Sequence, residues 1–174
     1  AAVNGERIMV SPTSRNFALG MIAEGAKGET KEVLCNYLGT DDFASYAKEY
    51  LNKIKEYNTE DESYGYKSKL KIADAVWVDN NLTLQEEFKN SVTNGFGAEV
   101  ENVDFSAAEK TCGIINSWCD KNTEGLIPKI ITPDLINDTT GLCLTNSLYF
   151  ESGWSGEPWN VSDTEEKLGN NEKT

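Results

Sequence analysis

Apolar residues along this chain recur with two periods, and those periods sort it into helices and strands. Phe43, Tyr46, Ala47, Tyr50, Leu51 and Ile54 stand at i, i+3, i+4 and i+7, which predicts an amphipathic helix between Asp42 and Asn58. Phe17-Ala-Leu-Gly-Met-Ile-Ala23 is apolar nearly all round, so the helix it predicts belongs inside a protein. Ser11 suits the N-cap of that helix, Pro12 its first turn, where a missing N–H costs nothing, and Gly25 its stop. Thr30 suits the cap of a second helix, with Val33, Leu34, Tyr37 and Leu38 inward and Gly39 at the end. Thr83-Leu-Gln-Glu86 has the spacing of a capping box for a helix bearing Phe88 and Val92 and closing near Gly95 and Gly97. Ser106 opens a longer helix to about Thr123, with Ala108, Cys112, Ile115 and Cys119 along one stripe.

Four strands are predicted: Arg7–Val10, Leu70–Val78 closed by the turn cluster Asp79-Asn-Asn81, Glu99–Phe105, and Leu142–Phe150. The last is mostly apolar, with Leu148, Tyr149 and Phe150 consecutive and glycines outside both ends. Without strict alternation it reads as a strand covered on both faces, at the centre of a sheet rather than its rim. Asn146 does not fit an oily centre. A carboxamide in mid-strand costs free energy to bury unless its groups are paired, so partners are expected elsewhere in the fold. A charged loop runs from Thr59 to Lys69, a Pro-containing connection from Ile127 to Asn137, and a polar tail from Val161 to Thr174. Helices with strands far apart in sequence, and no internal repeat, indicate an α+β unit.

Composition narrows the chemistry. The 174 residues are 39% hydrophobic and 10% aromatic, enough for a sizeable core. No segment reaches the ~18 apolar residues that span a bilayer, and no basic-then-apolar leader opens the chain. A removed signal peptide would leave the same record. The net charge of −13 repels phosphate backbones and anionic lipid, so no nucleic acid and no membrane partner is expected. There is no histidine, which removes Ser-His-Asp and Cys-His arrangements and the usual general base near neutrality. The chain is therefore not read as an enzyme.

Four cysteines, Cys35, Cys112, Cys119 and Cys143, include no CxxC pair. Cys112 and Cys119 on one helix would stand about 10 Å apart, beyond the ~7 Å that a bridge permits; buried free thiols are expected. The acidic runs Asp41-Asp42, Glu60-Asp-Glu62 and Asp163-Thr-Glu-Glu166 fall in expected loops and read as solvated surface, with no metal site and no cofactor. Asn81-Leu-Thr83, Asn137-Asp-Thr139 and Asn160-Val-Ser162 match the glycosylation sequon, a pattern common by chance in an Asn- and Thr-rich chain.

Several stretches, in order, resemble one family. Ile8-Met-Val-Ser-Pro-Thr-Ser14 followed by Gly25-Ala-Lys-Gly-Glu-Thr30 is similar to the serpin pattern of a strand, S-P-x-S and G-A-x-G-x-T. Leu70-Lys-Ile-Ala-Asp-Ala-Val-Trp-Val78 resembles L-x-I-A-N-x-L-F. Val103-Asp-Phe105, Ile115-Asn-Ser-Trp118 and Lys121-Asn-Thr-Glu-Gly-Leu-Ile127 resemble V-D-F, I-N-x-W-V and T-x-G-K-I. Asn146-Ser-Leu-Tyr-Phe150, with Gly153-Trp154 and Pro158-Trp159, resembles N-x-(L/I)-Y-F-K-G-x-W-x-x-P-F, though one more residue separates Trp154 from Pro158 and Trp159 replaces the usual Phe.

The resemblance implies a serpin-like α+β fold, helices around a large mixed central sheet, of which residues 1–174 form the N-terminal part. It implies a protease inhibitor whose reactive loop, once cut by a serine or cysteine protease, inserts into the central sheet and traps the enzyme. Leu142–Phe150 would be the strand beside which the loop inserts. Ser11, Ser14 and Asn146 match the polar shutter cluster under that sheet, and Trp154 matches the breach tryptophan where insertion begins. The helix from Ser106 to Thr123 matches the one that must yield to the entering strand. The reactive loop, the cleaved bond and the later strands are not among these residues, so the target protease is not written here. The segment is expected to need the rest of the fold as a partner. The alternative function is a non-inhibitory serpin serving as carrier, chaperone or storage protein. Secretion is the commoner family location, against which apparently free cysteines favour the cytoplasm.

Overall fold

Strand Ser68–Asp79 (β3) is the axis of the molecule, because the chain covers it on both faces. Its even residues Ile72, Val76 and Val78 belong to one apolar cluster, and its odd residues Ala73, Ala75 and Trp77 to another. The computed structural model describes residues 10–58 and 68–152, with the backbone of 2–3 and 6–7. The other elements are, in chain order, strands β1 (Ala2–Val3) and β2 (Glu6–Arg7), helices α1 (Pro12–Gly25), α2 (Gly28–Leu38), α3 (Phe43–Tyr57) and α4 (Glu86–Phe96), strand β4 (Glu99–Val103), helix α5 (Ala108–Asn122) and strand β5 (Leu142–Ser152).

The described sheet is mixed, with order β4-β3-β5; β4 runs parallel to β3 and β5 antiparallel. Leu142–Phe150 was expected at a sheet centre; among the described residues it falls within β5, which pairs with β3 on one side, and β3 is the middle strand. Burial follows the same order. The second half of β3 is buried residue after residue, whereas in β5 only Thr145 and Ser147 are buried, with Leu142 40% and Phe150 65% exposed. Consecutive apolar residues at 148–150 do not by themselves prove cover on both faces.

Helices α1, α3 and α4 pack on one face of the sheet through Phe17, Met21, Phe43, Ala47, Val92 and Phe96. Phe17 meets the rings of Phe43 and Phe96 edge-on, at 6.0 Å each. Gly95 allows α3 and α4 to close up: a Cβ there would stand 2.7 Å from the Ala44 Cβ and 2.9 Å from its Cα. Helix α5 covers the other face with Cys112, Ile115, Trp118 and Cys119.

Local signals held at α1 and α3, where the Ser11 and Asp42 side chains accept the Ser14 and Ser45 N–H groups. They failed at three other helix starts. Helix α2 begins at Gly28 after Lys27, so Thr30 lies inside it, and its expected inner residues Val33 and Tyr37 are exposed. Helix α4 starts at Glu86 with Gln85 as cap, which leaves Thr83 too far back to close a box. Ser106 turns to the Asp104 carboxylate, and Ala107 takes the cap position of α5. Of the expected strand Arg7–Val10, Arg7 closes β2, Ile8 and Met9 lie outside the described residues, and Val10 is exposed and outside any strand.

Candidate functional site

The seam between β3 and β5 carries the polar residues that a sheet interior has to account for. Their register runs from Ser68 opposite Ser152 to Val78 opposite Leu142, and it sets Asp74 directly across from Asn146. Both side chains face the α1, α3 and α4 side, since each shares the parity of residues in that cluster, Val76 and Leu144. Asn146 Nδ2 donates to Asp74 Oδ1 at 2.8 Å. The carboxamide expected to need a partner therefore has one, and it is a carboxylate.

That pairing is incomplete. Asp74 Oδ2 and Asn146 Oδ1 are buried with no hydrogen-bond partner, as are Asn16 Oδ1 on α1 and Ser147 Oγ on β5. Asp74 is 2% exposed. Burial disfavours its charged form and pushes the carboxyl up to about 7, against a smaller downward pull from Asn146. One seat along, the buried Trp77 Nε1 donates to Thr145 Oγ1 at 3.0 Å across the same two strands.

Ser11 and Ser14 meet each other and not Asn146. Ser11 is exposed and caps α1, and Ser14 is half-buried one turn on. Helix α1 packs against β5, yet among the described residues no hydrogen bond joins either serine to Asn146. Trp154 lies outside the described residues. Sequence reasoning passed over Asp74. Its signal was available: a carboxylate in mid-strand, two residues from Ile72 and two from Val76, on a buried face.

Helix α5 is anchored across the opposite face. Trp118 packs edge-on to Trp77 at 6.1 Å, and its Nε1 donates to Glu99 Oε1 of β4 at 3.0 Å. All four cysteines are free thiols, and burial raises Cys112, Cys119 and Cys143 above the usual thiol range. At the Leu142 end of β5 an open apolar groove of about 630 Å³ is lined by Ile22, Leu84, Phe88, Leu142 and Leu144. Among the described residues no helix is long and apolar enough to cross a membrane.

Comparison with known proteins gives this arrangement its relatives. A family model described as Serpin (serine protease inhibitor) matches residues 1–173. Serpin-ZXA of Oryza sativa subsp. japonica is 32% identical over 163 residues, covering 93% of this chain and 41% of that protein. Neuroserpin of Homo sapiens is 32% identical over 157 residues, covering 87% of this chain and 37% of that protein. The solved structure of Arabidopsis AtSerpin1 in its native stressed conformation aligns with a TM-score of 0.72 at 27% identity, over 86% of this chain and 38% of that one. The chain thus spans about two-fifths of the length of the curated relatives it matches. With a match reaching the last residue but one and helices disposed around a partial mixed sheet as in a solved relative, this chain belongs to the serpin family.

Proposed function

We propose that the chain is the N-terminal part of a protease inhibitor that traps a serine or cysteine protease, and that β5 is the strand beside which the cleaved loop inserts. The observation that carries this reading is the family match over residues 1–173, together with the pairing of β5 along its length to β3. An extended segment with free backbone donors and acceptors can add to a sheet by augmentation. In this reading Ser11, Ser14 and Asn146 form the shutter beneath the opening, with Asp74 joined to them through Asn146. Trp154 is the breach residue, and α5 moves aside. The rest of the fold, with its reactive loop, is the necessary partner of this part. Chemistry stays with the protease, so this protein is not itself a catalyst. Secretion is part of the proposal, and the free thiols support the competing cytoplasmic placement.

The test mixes the intact protein with trypsin-like and elastase-like proteases and looks for a complex that survives SDS. An adduct carrying the protease and the larger inhibitor fragment is expected. Clean cleavage without an adduct would overturn trapping and leave the carrier, chaperone or storage role.

A further inference from the structure

The buried pair Asp74–Asn146 has an odd inventory. A carboxylate has only acceptors, and a carboxamide has two donors and one acceptor oxygen. One contact is made, Asn146 Nδ2 to Asp74 Oδ1 at 2.8 Å, and the two remaining oxygens, Asp74 Oδ2 and Asn146 Oδ1, are both buried and unpartnered. The groups are planar, stand opposite each other in the register, and are already joined on one side. A single proton on Asp74 Oδ2 turns that oxygen into a donor towards Asn146 Oδ1. Both orphans are then satisfied at once, in the two-bond ring that a carboxylic acid forms with an amide.

Among the described residues, no neighbouring charge supplies another solution. On the face that Asp74 shares, α1 carries Arg15, which lies over the Tyr37 ring, and Glu24, which accepts from Ala44 N and Ser91 Oγ. On α3, Lys53 pairs with Glu49, Lys48, Lys55 and Glu56 are exposed, and Tyr50 packs against Phe17. On α4, Glu86, Glu87 and Lys89 are exposed. Within the sheet, Lys69 pairs with Glu124, Tyr149 with Glu151, and Glu99 with Trp118; Glu101 is exposed, and Lys71 and Cys143 lie on the opposite face by parity. Burial raises the Asp74 carboxyl, and the hydrogen bond from Asn146 pulls it down by less.

We propose that Asp74 and Asn146 form a proton-operated clasp between β3 and β5: the neutral carboxyl closes the second bond of the ring and holds the strands together, and loss of the proton leaves an unpaired buried charge and loosens the seam. This is a property of the sheet, and it stands whether or not the protein traps a protease. The folded carboxyl binds its proton more tightly than the unfolded one, so the stabilisation is complete below the unfolded value of 3.8. It is lost as pH rises towards the folded value of about 7.

The experiment is hydrogen exchange on the intact protein, followed at the amides of residues 144–148 and 72–76 and corrected for the intrinsic pH dependence of exchange. Between pH 5 and pH 8 the wild type is expected to lose protection at these amides by roughly tenfold or more. Asp74→Asn keeps the shape and supplies the second donor permanently, so its protection should stay level and exceed the wild type at pH 8. Parallel profiles for the two proteins would overturn the clasp. Should Asp74→Asn fail to fold, the carboxyl-carbon titration of wild-type Asp74 decides it: a midpoint near the ordinary value of about 3.9 refutes the proposal, and one near neutrality supports it.

Discussion

One buried hydrogen bond between side chains, Trp77 to Thr145, ties β3 to β5. Trp77 brings a large apolar ring that is 1% exposed, with one polar atom that must find an acceptor inside the protein, and Thr145 Oγ1 is that acceptor. Thr145→Val keeps the shape and orphans the indole N–H, so a loss of about 1–3 kcal/mol is expected in urea unfolding, whereas Thr145→Ser should restore most of it. Gly95 works by absence. Alanine would favour a helix by up to about 1 kcal/mol, yet here its methyl would be driven into the Ala44 backbone. The steric term is the larger, about 1–3 kcal/mol, so Gly95→Ala should lower the melting temperature despite the better propensity.

At the scale of elements, the question is what keeps α5 on the sheet. Trp118 carries both the apolar contact with Trp77 and the hydrogen bond to Glu99. Trp118→Ala should cost about 3–5 kcal/mol. It should also raise hydrogen exchange in α5 before exchange rises in β3, which distinguishes undocking of the helix from general loss of stability. Most elements were legible in the sequence for a physical reason. The period of Phe43 to Ile54 and the Ser11-Pro12 start depend on residues a few positions apart, and local sequence records local geometry. What stayed hidden was pairing. Nothing within Leu142–Phe150 says which strand lies beside it, and nothing around Asn146 points to a carboxylate 72 residues earlier. The failed cap at Thr83 has the same origin. A capping box needs the helix to begin beside the threonine, and here Thr83 and Leu84 stay outside the helix.

At the scale of the whole molecule, two sets of carboxyls pull stability in opposite directions with pH. Asp42, Asp79, Asp104 and Asp134 are held below the usual range, chiefly by hydrogen bonds from Ser45, Asn81, Ser106 and Thr132. Their contribution is present above the unfolded value and lost as acid protonates them. Asp74 acts in reverse, stabilising the fold in acid and ceasing to do so towards about pH 7. A stability optimum on the acid side of neutrality is therefore expected from denaturation midpoints across pH, and Asp74→Asn should flatten its alkaline flank. With no histidine anywhere in the sequence, that one buried carboxyl also does a job normally left to imidazole. Folding near pH 6.5 should draw a proton out of solution. Calorimetry would then read a different heat of unfolding in phosphate than in a buffer of larger ionisation enthalpy, and the gap should vanish when residue 74 can no longer ionise.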